Sequence, residues 1–219
     1  MPSTPTTTSP ARTGRFAATT RYDRRGVLGL LACAGLVAIL PAAPAFAAGV
    51  DAARAHIQRA VDEVYDVINT GHPPAQIFRE FEEVFARYAD VDVMARSVLG
   101  PVARQTPAAE LAAYQQAFQG YVGRKYGKRF REFVGSRVEV TGAQPLKSFV
   151  AVTSVAHLRG RAPMQVEWHV SDRSGDVRFF NLIIEGVNML ASERAEMASM
   201  LALRQGSVAA LTADLQQAG

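Results

Sequence analysis

The sequence predicts an α+β domain in which N-terminal helices pack on a curved antiparallel sheet of about four strands, followed by C-terminal helices. Three observations predict it. Apolar residues recur every three or four positions from Asp51 to about Phe133, the period drops to two between Val138 and Ile184, and helical spacing returns from Met189 to Leu215. Strand and helix never alternate, so a doubly wound parallel sheet is the poorer solution.

The first helix, Asp51 to Asn69, carries Ile57, Val61, Val64 and Ile68 on one face and stops at Thr70-Gly71-His72-Pro73-Pro74. Ala75 to Tyr88 repeats the pattern with Ile77, Phe81, Val84, Phe85 and Tyr88, its other faces being largely Arg and Glu. Asp90 is a suitable N-cap for a short helix, Val91 to Leu99, which Gly100-Pro101 terminates. Thr106-Pro107 opens the next helix with a capping hydroxyl and a first-turn proline. That helix runs to about Phe133 with an unusually aromatic stripe of Leu111, Tyr114, Phe118, Val122, Tyr126, Phe130 and Phe133.

After Gly135 four segments read as strands: Val138 to Thr141, Phe149 to Leu158, Met164 to Ser171 and Val177 to Ile184. Glu185-Gly186 ends the last, with Glu185 placed to cap the following helix or pair with a cation. Met189 to Leu203 and Val208 to Leu215 are helical, with Gly206-Ser207 as break and cap. In the third strand Met164, Val166, Trp168 and Val170 form a wholly apolar face. A hairpin through Asp172-Arg173-Ser174-Gly175 sets them opposite Ile183, Asn181, Phe179 and Val177 respectively. Such a surface serves either as ordinary core or as a cavity wall, and the residues alone favour core.

The 219 residues are 48% hydrophobic and 20% charged, enough apolar material for one packed domain and too few charges for a disordered chain. The net charge of +4 comes from Arg12, Arg15, Arg21, Arg24 and Arg25 against Asp23, all before Ala48, where the remaining chain balances. The basic pI therefore gives no support to nucleic-acid binding. The one cysteine, Cys33, lies in the same segment, so a disulfide scaffold is excluded.

Residues 1–47 read as an export leader. Ser, Thr and Pro dominate the start, Asp23-Arg24-Arg25-Gly26-Val27-Leu28-Gly29 carries a twin arginine of the Tat type, and Val27 to Leu40 is apolar but shorter than the ~20 residues a membrane-spanning helix needs. Pro41 and Pro44 break that run. Ala45-Phe46-Ala47 then offers the small residues a signal peptidase reads, so cleavage is expected after Ala47, leaving a single domain, 48–219. Leu30-Leu31-Ala32-Cys33 only superficially resembles a lipoprotein box, since the apolar run before it is very short and an Ala-x-Ala site follows.

Two stretches together resemble the MlaC family of periplasmic phospholipid-binding proteins, also called the toluene-tolerance auxiliary family. The first is Arg87-Tyr88-Ala89-Asp90-Val91-Asp92-Val93-Met94-Ala95-Arg96-Ser97-Val98-Leu99-Gly100, followed by Thr106-Pro107 and the aromatic helix. The second is Phe180-Asn181-Leu182-Ile183-Ile184-Glu185-Gly186-Val187-Asn188, then Gly206-Ser207-Val208-Ala209-Ala210-Leu211. Phe180-Asn181 stands where the family usually has Tyr-Asp, and Asn188 where it has serine. A sister branch of hopanoid-producing bacteria, HpnM, shares the pattern.

The resemblance implies a nuclear-transport-factor-like fold with an apolar cavity between sheet and helices that takes phospholipid tails. It also implies a periplasmic shuttle that maintains lipid asymmetry, whose partners are an outer-membrane lipoprotein complex and an inner-membrane ABC transporter complex, with only transient contact near the membrane. On faces and resemblance together, the tail-contact candidates are Leu99, Tyr114, Phe118, Val122, Val166, Trp168, Val170 and Ile183. A two-tailed lipid carries roughly 30 methylenes at about 0.8 kcal/mol each, so crossing water unaided costs on the order of 20 kcal/mol. A carrier's walls must therefore be apolar, with few polar groups.

Arg124, Lys125, Lys128, Arg129 and Arg131 crowd one part of the aromatic helix. They form either a solvated face or a docking surface for anionic headgroups or an acidic partner, the candidates for docking being Arg124, Lys125, Lys128 and Arg129. His157 and His169 fall on neighbouring strands without a third ligand at metal-site spacing, so no metal and no cofactor is expected. Nucleophile-elbow, phosphate-loop and His-Glu-x-x-His motifs are missing from the sequence, and an enzyme is not expected. The alternatives are a hopanoid or other lipid carrier, an isomerase or hydratase using Asn181 or His169 with Glu167, and a periplasmic protein adaptor.

Overall fold

In a computed structural model, residues 45–130 and 136–218 are described, with side chains from 49–127 and 136–218; all belong to the unit Pro41–Gly219. The elements run α1 (Ala45–Asn69), α2 (Pro74–Tyr88), α3 (Val91–Leu99), a 3-10 turn (Gly100–Arg104), α4 (Ala108–Phe130), β1 (Arg137–Leu146), β2 (Phe149–His157), β3 (Met164–Ser171), β4 (Arg178–Ile184), β5 (Val187–Asn188), α5 (Met189–Leu203) and α6 (Val208–Gln217). The twin-arginine segment, the apolar run Val27 to Leu40 and Cys33 lie outside the described residues, as do Arg131, Phe133 and Gly135 and the side chains of Lys128, Arg129 and Phe130.

The strands form one antiparallel meander in the order β1-β2-β3-β4-β5. Helix α1 lies on the sheet against β1 to β4, α2 packs on α1 and α4, and α6 packs on α4. The helical layer is held by large buried rings, with Tyr114 and Phe118 fully buried and Phe81, Phe85 and Tyr88 nearly so. Close approach of α2 to α4 depends on Gly123, where an added Cβ would lie 2.8 Å from Glu82 Cγ and 3.0 Å from its Cβ.

Chain punctuation follows local chemistry. The Asp90 side chain accepts from the Val93 amide at 3.1 Å, and Gly100 takes a φ of 68°, ending α3. Ser207 caps α6 through the Ala210 amide at 3.2 Å, after Gly206 at φ 81°. Thr106 departs from expectation: its hydroxyl donates to the Val102 carbonyl at 2.9 Å, while the Pro107 carbonyl accepts from Leu111. Glu185 and Gly186, at φ 49° and 78°, turn the chain sharply into β5, which the two-residue periodicity did not reveal. Glu185 does not cap α5. Its carboxylate accepts from the Gln165 amide, and Asn188 caps the helix through Ala191 at 3.0 Å.

The register of β3 and β4 also differs from expectation. Near the hairpin Val170 pairs with Phe179, which keeps Phe179 on the apolar face. Phe180 is then an extra residue, because His169 pairs with Asn181 while Val170 pairs with Phe179. Such a bulge exchanges the two faces of the strand beyond it. Trp168 accordingly lies opposite Leu182, and Val166 opposite Ile184, not Phe179 and Asn181; Ile183 pairs with Glu167. A second irregularity, between Val140 and Gly142, lets β1 continue to Leu146, well past Thr141.

Candidate functional site

Between the helical layer and the sheet lies a cavity of about 160 Å³. An apolar cavity of about 150 Å³ takes one benzene-sized molecule, so the hollow as it stands has room for about six carbon-sized groups. Ala60, Val61, Val64 and Ile68 of α1 and Phe81, Val84 and Phe85 of α2 form one wall. Val138, Ala156, Met164, Val166, Trp168, Phe179, Leu182 and Ile184 form the sheet wall. Met189, Leu190 and Glu193 of α5 close a side.

The walls are apolar because two amphipathic stripes face the inner side of a twisted sheet, and the rings prop the layers apart. Phe179 meets Phe85 edge-on at 5.6 Å and Trp168 at 5.3 Å, tying β3, β4 and α2 together. Trp168 satisfies its indole N–H by donating to Ser154 Oγ at 2.9 Å. The polar side chains on the wall are Ser136, Asn181 and Glu193, with the rings of Tyr65, Tyr88 and Tyr126. Asn181 is occupied: its Oδ1 accepts from the Leu190 amide at 3.1 Å, and its Nδ2 lies 3.3 Å from His169 Nδ1.

Glu193 is almost fully buried and makes the one charged network at the cavity edge among the described residues. Lys125 Nζ donates to its two oxygens at 2.8 and 3.1 Å and also to Glu196, while the Tyr126 hydroxyl donates to Glu193 and the Tyr121 hydroxyl to Glu196 at 2.7 Å. Burial, then the carboxylates, push both tyrosines above their ordinary range. Burial pulls Lys125 down, yet Glu193 and Glu196 outweigh it and raise it; burial likewise raises Glu196, but Lys125 and Tyr121 hold it below the usual carboxylate range. Lys125 therefore stays charged.

Val122, Val166 and Trp168 of the sequence candidates line the cavity. Leu99, Tyr114, Phe118 and Val170 are buried in the core beside it but are not on its wall. Ile183 is a correction: the bulge sets it beside Glu167, off the wall, and gives its place to Leu182 and Ile184. Of the four docking candidates, the side chains of Arg124 and Lys125 are described. Arg124 donates to the carbonyls of Leu215 at 2.5 Å and Ala218 at 2.9 Å at the end of α6, and Lys125 is held by Glu193 and Glu196. Both are structural cations. Glu167 pairs with His169 at 2.8 Å and is not on the cavity wall. His157 lies at the far end of β2, opposite Arg137, and no described group of three His, Cys, Asp or Glu side chains could hold a metal ion.

The family sequence pattern of the MlaC protein matches residues 58–217, well over half the chain. The chain belongs to the MlaC family. A solved structure of similar fold is that of a phospholipid-binding protein from Ralstonia solanacearum, in complex with a phospholipid; it superposes with a TM-score of 0.66 at 18% identity, over 75% of this chain and 95% of that one. At that identity the likeness establishes the α+β fold alone, which here, among the described residues, has a five-stranded antiparallel sheet and six α-helices. Asn188 caps α5 through the Ala191 amide, a role that asparagine and serine both fill. Among the described residues no helix is long and apolar enough to cross a membrane.

The wall residues that sequence reasoning missed include those of α1 and α2, among them Ala60, Phe81 and Phe85, with Leu182 and Ile184 of β4 and Met189 and Leu190 of α5. The helical ones were legible as an apolar stripe. What the stripe could not tell is that it faces space and not side chains.

Proposed function

We propose that this protein is a periplasmic phospholipid carrier, with acyl tails held in the apolar cavity between helices and sheet. The observation that carries the reading is that cavity: an unfilled hollow with almost wholly apolar walls in a protein of the MlaC family, whose structural neighbour was solved with a phospholipid. Folded proteins pack their interiors densely, so a hollow of this size forfeits dispersion contacts and needs a compensating role. Tails supply the missing contacts without asking for hydrogen bonds. Val122, Val166 and Trp168 are the tail contacts we retain from the sequence, joined by Phe81, Phe85 and Leu182.

The shuttle would run between an outer-membrane lipoprotein complex and an inner-membrane ABC transporter, keeping the two leaflets of the outer membrane unlike. Export through the Tat-type leader with cleavage after Ala47 fits the fold: α1 loses only its first three residues, and among its described side chains the first buried one is Ala53. We read the role as binding, not catalysis: Glu167 and His169 engage each other away from the wall, and Glu193 on it is tied up by Lys125 and Tyr126.

Organic extraction of the purified mature protein followed by mass spectrometry tests the reading. Co-purifying phospholipid near one molecule per chain is the expected result. Hopanoid in its place would move the protein to the HpnM branch, and a lipid-free protein that takes up no lipid from vesicles would end the carrier reading.

A further inference from the structure

A cavity of about 160 Å³ has room for little more than a benzene-sized molecule, whereas a two-tailed lipid carries roughly thirty methylenes, so a carrier of this build has to widen. The walls are unequal in what holds them. Helix α2 buries five apolar side chains, Ile77, Phe81, Val84, Phe85 and Tyr88. Helix α5, which closes one side through Met189 and Leu190, buries only Glu193 and Met197 of its own. Polar fasteners do the rest: Lys125 and Tyr126 of α4 on Glu193, Lys125 and Tyr121 on Glu196, and Arg194 on Ser97 of α3 through its carbonyl at 3.0 Å and its hydroxyl at 2.8 Å.

We propose that α5 is the gate of the cavity, latched shut by Lys125–Glu196 and Arg194–Ser97 and swung about the left-handed Glu185-Gly186 turn. Three features beyond the uneven anchoring support it. Polar contacts that are partly open to water exchange readily for water, whereas apolar burial does not, so this wall opens by giving up one buried apolar side chain, Met197, and the buried Glu193, where α2 would give up five apolar ones. The helix is joined to β4 only by a two-residue turn with positive φ at both residues and the two-residue strand β5, a compact link next to Asn181, which holds the Leu190 amide. Beside the latch, the Tyr114 hydroxyl is buried without a partner among the described residues; burial, then the nearby Glu193 and Tyr121, push its pKa up. A shift of α5 that admits water would satisfy it.

The inference rests on the lipid-carrier reading, and the experiment separates the two. Uptake of a tail-labelled fluorescent phospholipid from vesicles of phosphatidylethanolamine and phosphatidylglycerol is timed for the mature protein and for the double variant Glu196→Gln/Arg194→Ala, with circular dichroism to show that both fold. The variant should exchange lipid about fivefold faster, as expected for loss of two partly exposed polar links. In parallel, carbodiimide coupling joins the Lys125 amine to Glu193 or Glu196 as an amide, mapped by peptide mass spectrometry, and should slow exchange about tenfold or more. Amide hydrogen exchange gives a lipid-independent readout: α5 should exchange faster than α4, and faster still in the variant. A wild-type protein that takes up no lipid overturns the carrier reading. Wild-type uptake, with the variant and the cross-linked protein exchanging at the same rate as wild type, overturns the gate alone.

Discussion

Replacing Ala60 with leucine separates a true hollow from a packed interior by the sign of a stability change. Ala60 is 4% exposed and lies on α1 against the cavity, where both alanine and leucine suit a helix. Leucine adds three carbons, and at about 0.8 kcal/mol for each one buried the ceiling is roughly 2.4 kcal/mol of added stability. Those three carbons need only part of a space that takes a benzene-sized molecule, so no neighbour has to move. Allowing for lost rotamer freedom of ~0.5–1 kcal/mol, we expect the lipid-free Ala60→Leu protein to gain about 1–2 kcal/mol. Ala95 of α3 is equally buried but is not on the wall, and Ala95→Leu should lose about 1–3 kcal/mol from overpacking. Urea denaturation of delipidated protein reads both, since a change of that size moves the midpoint by roughly 0.5–2 M at ordinary slopes. Lipid recovered per chain should fall in Ala60→Leu. Destabilisation of Ala60→Leu to the same extent as Ala95→Leu would refute the hollow.

Gly123→Ala should destabilise by about 1–3 kcal/mol in the same assay despite alanine's better helix propensity, because the new Cβ would sit 2.8 Å from Glu82 Cγ near the root of that side chain. Asp90→Ala should cost about 1 kcal/mol by freeing the Val93 amide at the start of α3, seen as a lower thermal midpoint. His56 is buried and bonded through Nε2 to the Tyr88 carbonyl; burial, reinforced by Arg59 and Arg178, lowers its pKa from 6.5. A histidine lowered in the folded state contributes stability that is present above its unfolded pKa and declines as pH falls below about 6.5, levelling off below the folded value. A His56→Gln variant, which retains a donor, should show a flatter stability profile over pH 5–7, and an unchanged slope would show that other groups set it.

The helical half of the fold was legible because its signals are local. Asp90 and Gly100-Pro101 bracket α3, Gly206-Ser207 separate α5 from α6, and the stripes of α1 and α2 became buried faces. The sheet was legible in its order but not in its register. Both parities of Phe179 to Ile184 are apolar, so nothing in the alternation marks Phe180 as the extra residue, and Ile183 was assigned to the face that Leu182 and Ile184 occupy. Pro145 and Gly142 likewise mask the second half of β1, an edge strand that tolerates both. The charge cluster on α4 misled for another reason: sequence shows where Arg124 and Lys125 stand along a helix, while their partners at Leu215, Ala218, Glu193 and Glu196 are distant in the chain.

The central claim is that acyl chains occupy the space beside Trp168, which is the sole tryptophan of the chain. Loading the mature protein with phospholipid brominated along its tails, and separately with phospholipid brominated only at the headgroup, tests it through the fluorescence of that one residue. The account predicts strong quenching by the tail-brominated lipid and little by the other. Equal emission with both, in protein shown by mass spectrometry to hold a lipid, would place the tails elsewhere and contradict it.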